Sequence, residues 1–239
     1  MAGLVDAIAG GGGLVTVPAL LAAGLDPRAA LATNKGQAIF GSGASFLAFA
    51  RHGKIDRFRA PTSFLAAGAG ALLGAKLVLV ADPAKLRPIV LGLLLLAAAT
   101  SLAKKPVAGP PRASVASFPR VFAVAVAFPI GAYDGFFGPG TGTFLLLAYA
   151  TLYGDELVQA SGNAKVANFG SNVVAFATFA ASGSIRWDIA LPMGVAQLAG
   201  ALVGTRFAVR RGAGVVRAVA VVVSLALAAR VVWQMLTGK

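Results

Sequence analysis

The chain has 239 residues, 58% of them hydrophobic and only 12% charged, with 21 lysines and arginines against 8 acidic residues and a formal charge of +13. That balance, with a mean hydropathy of +0.81, excludes an ordinary soluble domain; the cations fall between apolar runs, as in membrane loops, and form no nucleic-acid-binding stripe. Zero cysteines exclude disulfides and thiolate metal sites, and one histidine gives no basis for an imidazole centre, so neither metal nor cofactor is expected.

The first element, residues 1–23, is broken. Asp6 precedes four successive glycines, Gly10, Gly11, Gly12 and Gly13, and each costs a helix interior about 1 kcal/mol relative to alanine. The helix is predicted to stop there and restart at Leu14, ahead of Thr16 and Pro18. No basic leader or cleavage site precedes it, so no signal peptide is expected. A full span follows at 29–50, long enough for about 30 Å of hydrocarbon, with Asn34, Lys35 and Gln37 near its start. The 51–59 loop carries Arg51, Lys54, Arg57 and Arg59, and His52 within it reads as a solvated residue. Spans at 61–81 and 86–103 complete the first half. Gly70 and Gly74, four apart, read as small residues that let backbones approach, and Lys76 as a side chain snorkelling to the headgroups. Residues 104–119, with Pro106, Pro110, Pro111 and Pro119, read as a linker.

The second half repeats this order. Residues 120–152 form another broken segment, in which Asp134 is followed by Gly138, Gly140, Thr141 and Thr143. Spans are predicted at 156–181, carrying Asn163, Lys165 and Asn168, at 188–209, carrying Gly200, Gly204 and Arg206, and at 214–236. Asp6 aligns with Asp134 and Gly10 with Gly138 at a spacing of 128 residues, and Gly70 and Gly74 align with Gly200 and Gly204 at 130. So long a period means two halves of one unit, 1–103 and 120–239, rather than a solenoid. Asp6 has five residues before it where Asp134 has roughly fifteen from Arg120 on, so the first half-helix is expected to be clipped by about half a membrane thickness.

The broken segments decide the topology. If each turns back as a re-entrant hairpin, each half crosses three times and the halves are inverted; if each crosses, they are parallel. With the 51–59 loop in the cytoplasm, inversion leaves eleven loop cations inside and five outside, against ten and six for the parallel plan. The positive-inside rule and the contrast between that basic loop and its partner at 181–187, whose one cation is Arg186, favour inversion, the commoner plan among transporters with broken helices.

Backbone released from a helix inside a bilayer must be buried in protein or face a water-filled cavity. Two breaks facing each other near the midplane would aim free N–H groups and positive dipole ends at one point, which suits an oxyanion; the alternative is that the glycines serve only close packing. Lys35 and Lys165 stand beside the amides Asn34, Gln37, Asn163 and Asn168. They can hold an anion, a point charge beside neutral donors, or pair with Asp6 and Asp134 to pin the broken helices. Those aspartates can cap the glycine turns or carry protons. Thr16, Thr141 and Thr143 can offer hydroxyls to a ligand or cap their helices. The candidate substrate site is therefore the two glycine breaks, these threonines, the four amides and both lysines, with Asp6 and Asp134 in support. No cluster or nucleophile points to an enzyme.

The acidic residue before a glycine-rich break, the Val17-Pro18-Ala19-Leu20-Leu21-Ala22-Ala23-Gly24 that follows, Ala32-Thr33-Asn34-Lys35 and the duplication together resemble the TauE/SafE sulfite exporter family over nearly the whole chain. The resemblance implies transport of organosulfur compounds or sulfur oxyanions, with the substrate and the direction left open. The expected fold is all-α and polytopic, two inverted repeats, each of one broken helix, re-entrant in this plan, plus three spans. The expected function is alternating-access transport of a small anion at a midplane site, an anion channel or a non-transporting scaffold being the alternatives. Expected partners are the anionic substrate, the lipid bilayer of the cell inner membrane and a second copy in a homodimer, with no nucleic acid.

Overall fold

The computed structural model describes residues 1–103 and 120–211, and its described elements are all helices: α1 Ala2–Ala9, α2 Gly13–Ala22, α3 Pro27–Arg51, α4 Ala60–Val80, α5 Pro83–Ala103, α6 Arg120–Phe136, α7 Thr141–Leu152, α8 Leu157–Ala181 and α9 Trp187–Arg211. The linker at 104–119 and the last predicted span, 214–236, lie outside the described residues. Asp26 starts α3 by accepting from the amides of Arg28 and Ala29 at 3.0 and 3.1 Å, with Pro27 at the first helical position, where its missing donor costs nothing. α3 and α8 end alike, the Lys54 amide bonding the Phe49 carbonyl and the Ser184 amide that of Phe179.

Both glycine stretches break the chain as the propensities require. α1 ends on Gly10 at φ 78° and α2 restarts at Gly13; α6 ends before Gly138 at φ 92° and α7 restarts after Gly140. The restarts fall one residue before Leu14 and two before Thr143. The two breaks pack on each other: a Cβ on Gly10 would lie 2.3 Å from the Gly142 backbone, and one on Gly13 would lie 3.1 Å from Pro139 Cα.

The helices are inside-out relative to a soluble protein. α4 buries Ala67, Gly70, Ala71, Gly74 and Ala75 and turns Leu65, Leu72, Leu73 and Leu77 outward, while α9 exposes Leu191, Val195, Leu202, Val203 and Phe207. Large apolar side chains outside and small ones inside suit a lipid solvent, where helices gain from close backbone approach. A Cβ at Gly70 would sit 2.1 Å from the Phe128 carbonyl of α6, and one at Gly204 would sit 2.6 Å from the Leu4 carbonyl of α1, as the four-residue glycine spacing predicts. Lys76 and Arg206 are exposed. The main helix pairings come in matched sets, α4 with α6 and α9 with α1, then α4 with α8 and α9 with α3, around a central α3–α8 contact.

Among the described residues two helices, Ala60–Val80 and Trp187–Arg210, are long and apolar enough to cross a membrane by composition, fewer than the five predicted spans that fall there. α3 and α8 have 25 residues each, about 37 Å at 1.5 Å per residue, but a buried polar row lowers their hydropathy. Asn34, Lys35, Gln37 and Ser42 on α3, and Lys165, Asn168, Ser171 and Asn172 on α8, are all buried.

Candidate functional site

Where α1, α3, α6, α8 and α9 meet beside the two breaks there is a polar cavity with about 20 Å³ of space for water, lined by Asp6, Gly13, Asn34, Lys35, Gln37, Ala38, Asp134, Gly138, Asn168, Asn172 and Gln197. That space holds about one water molecule.

Lys35 and Asp134 form its charged centre. Their side chains are 3% and 2% exposed and 2.8 Å apart. Lys35 also donates to Asn172 Oδ1 at 3.2 Å, and Asp134 accepts from the Ser171 hydroxyl. The second pair is looser: Lys165 Nζ lies 3.9 Å from Asp6 Oδ2 and donates to the Asp6 carbonyl, while Asp6 Oδ1 accepts from the Gly12 amide at 3.3 Å. Each lysine thus pairs with the aspartate of the other half. The capping role open to Asp6 is the one seen at Gly12.

The amides are arranged in a chain. Asn34 Oδ1 meets Thr16 Oγ1 at 2.6 Å and Gln37 Nε2 at 3.0 Å, and Thr16 Oγ1 also approaches the Gly12 carbonyl at 3.2 Å. The far oxygen of Gln37, at the cavity, is buried without a partner. One hydroxyl proton cannot serve two acceptors fully. Amide oxygen and nitrogen are interchangeable in shape, so turning over both amides lets Thr16 donate to Gly12 and accept from Asn34. The same rotation presents the Gln37 NH₂ to the cavity as a donor.

Some predicted residues lie elsewhere. Gly10, Gly11, Gly12, Thr16, Gly140, Thr141 and Thr143 are outside the cavity lining; Gly10 packs on Gly142, Thr16 supports Asn34, and Thr141 Oγ1 donates to the Gly138 carbonyl at 2.8 Å. Lys165 reaches the cavity only through Asp6. Asn163 is absent from the lining too: its Oδ1 accepts the Asp56 amide at 2.8 Å and its Nδ2 donates to Asp155 at 2.6 Å. Its equivalent in the first half is Thr33, which accepts the Arg186 amide at 3.1 Å, rather than Asn34. One residue along a helix is about 100° around it, and that rotation takes Asn163 off the cavity face.

Asn163 belongs to a clasp at one end of the bundle. Arg59 joins Asp56 at 2.6 Å to Asp155 at 2.8 Å, and its guanidinium lies over the Tyr153 ring, 4.6 Å from the centroid. Burial pushes the Asp56 carboxyl up, but the bonds from Arg59 outweigh it and hold the group below the usual carboxylate range. A lowered folded-state value contributes stability above the unfolded value and loses it as pH falls, so the clasp should loosen only below about pH 4. Asn163→Ala should cost about 1–3 kcal/mol by leaving Asp155 and the Asp56 amide short of partners, read as a lowered melting temperature; a raised KM for an anion instead would return Asn163 to the site.

Gln197 and Asn172 were missed by repeat-guided reading. At the spacing of 130 Gln197 aligns with Ala67 and Asn172 with Ser42, so the repeat supplied no partner amide for either. Two did exist: Gln197 is an amide within an apolar span, a functional-site marker in membranes, and Asn172 is four residues beyond Asn168 on one helix face.

Residues 1–231 match the family described as sulfite exporter TauE/SafE. The chain is 42% identical over 230 residues to "Probable membrane transporter protein ORF9" of Sinorhizobium sp, covering 96% of this chain and 88% of that one. It is 35% identical over 233 residues to "Probable membrane transporter protein YfcA" of Escherichia coli K12, covering 98% and 86%. A "Probable membrane transporter protein" of Haemophilus influenzae matches at 35% over 233 residues, covering 98% and 91%. No solved structure matches.

Proposed function

The chain belongs to the sulfite exporter TauE/SafE family and is a membrane transporter; from that premise we propose that it carries a small anion, a sulfur oxyanion or organosulfonate such as sulfite, through the cell inner membrane by alternating access. The observation that carries this reading is Lys35, a buried cation on the wall of a small cavity otherwise lined by amides, glycine backbone and two carboxylates, beside two helix breaks. The sulfur chemistry is taken from the family's description. Anion and cavity differ in size: about one water's worth of space is too little for an oxyanion of four or more heavy atoms, so binding parts Lys35 from Asp134 and spreads the helices around them. The matched exchange of helix pairings between the halves supports two repeats related by a pseudo-two-fold axis at this point, and the loop charges favour the inverted arrangement of the two.

The test is a melting screen of the detergent-purified protein against sulfite, thiosulfate, sulfate, sulfoacetate and chloride. A bound anion at a hundredfold excess over its Kd stabilises by about 2.7 kcal/mol, so a selective upward shift for one sulfur anion is expected. A cooperative melt that none of them moves would sink the anion reading. For topology, the cysteine-free chain allows single cysteines in the 51–59 and 181–187 loops. Inversion predicts labelling from opposite faces of the membrane, and labelling from one face would remove it.

A further inference from the structure

We propose that each anion crosses with a proton and that Asp6 carries it; this rests on the anion-carrier reading above. The four ionised side chains at the site, Lys35 with Asp134 and Lys165 with Asp6, cancel in charge. An anion added to that set is an uncompensated charge in a low-dielectric cavity beside two carboxylates, a costly arrangement unless something neutralises it. A proton on one carboxylate restores the balance for a singly charged anion such as a sulfonate, leaving two lysines, one carboxylate and one monoanion, and it halves the excess charge that a dianion such as sulfate or thiosulfate brings.

The geometry selects Asp6 over Asp134. Both oxygens of Asp134 are engaged, by Lys35 at 2.8 Å and by the Ser171 hydroxyl, and its side chain is 2% exposed. The Asp6 oxygens hold only a 3.9 Å ion pair and a 3.3 Å contact with the Gly12 amide, and its side chain is 16% exposed. Protonating Asp6 therefore breaks the weaker pair, at the more exposed of the two carboxylates. Lys165 keeps its bond to the Asp6 carbonyl, so it stays in place behind Asp6 and leaves a positive charge that no carboxylate matches. The groups facing Asp6 are Lys165 from α8, Lys35 from α3 and Asp134 from α6, with neutral Gln197 from α9 and glycine backbone from the start of α2; none is a second proton acceptor of comparable freedom. The cycle balances: the carboxylate takes a proton from the side where the anion enters and loses it to the side where the anion leaves.

The test uses the full chain in sealed vesicles with the membrane potential clamped at zero by potassium and valinomycin. The probes are labelled thiosulfate, sulfate and methanesulfonate, which do not titrate near neutral pH, and sulfite. With one proton per anion, a one-unit pH gradient, acid on the side of entry, should raise the accumulation ratio about tenfold. Asp6→Asn, fixed in the uncharged form, should give exchange that no longer varies with pH and a ratio near one under the same gradient. Accumulation by the wild type that ignores the gradient while exchange proceeds overturns proton coupling. An Asp6→Asn protein that still accumulates like the wild type, or that folds and exchanges nothing, overturns the assignment to Asp6. If that variant does not fold, a pH dye trapped in wild-type vesicles decides: acidification by one proton per anion supports the proposal, and none overturns it. Failure of the wild type to exchange any probe overturns the carrier reading itself, and this inference with it.

Discussion

Replacing Lys35 with methionine should lower stability by about 3–5 kcal/mol and abolish transport. Removing one member of a buried pair strands the other charge, which is the source of that cost, and the figure is a large share of the roughly 5–15 kcal/mol that holds a typical domain together. Asp134, 2% exposed, would keep only the Ser171 hydroxyl. The informative comparison is the double variant Lys35→Met with Asp134→Leu. Apolar replacement of a whole buried pair is often neutral or stabilising, so the double variant should recover most of the lost melting temperature in detergent. Transport into vesicles should stay at background, because the cavity has lost its cation. Recovery of both would mean that Lys35 only pins α6 against α3, the structural role that the sequence left open.

Gly10→Ala should be nearly as damaging, for a reason independent of charge. Its backbone has φ 78°, a conformation that costs an L-residue about 1–2 kcal/mol. The new methyl would also lie 2.3 Å from the Cα and carbonyl carbon of Gly142, and backbone held in a second helix break has no rotamer through which to yield. Overpacking typically adds about 1–3 kcal/mol, for a total on the order of 2–5 kcal/mol. Gly24→Ala is the control: φ is 88° there, but nothing lies within 4 Å of the added carbon, so only the backbone cost of about 1–2 kcal/mol applies. Equal melting temperatures for the two variants would show that the contact between the breaks is loose.

The helix breaks and the buried charges were legible because each violates a local rule strongly: four glycines in an apolar run, and a lysine inside a span. The segmentation of α3, α4, α5, α8 and α9 followed from apolar length to within a few residues. Side-chain direction was less accessible. Aligning Asn34 with Asn163 matched residue types one position out of phase, and a single residue of phase separates a cavity wall from the Arg59 clasp. Gln197 lay hidden because the repeat supplies no partner for it. In the clasp the Asp56–Asn163 bond returns at the repeat spacing as the Arg186–Thr33 bond, but the Arg59 link from Asp56 to Asp155 has no basic counterpart, since Arg59 aligns with Ile189.

The cross-pairing of lysine and aspartate also bears on how the protein is made. A lysine at the centre of a helix opposes insertion by about 2.5–3.5 kcal/mol, and α3 carries Lys35 with a row of further polar groups. Its counter-charge, Asp134, emerges from the ribosome about a hundred residues later, on the order of 5–20 s at usual synthesis rates. Asp6 waits longer still for Lys165. Insertion of α3 is therefore expected to lean on its apolar residues until Asp134 can pair with Lys35.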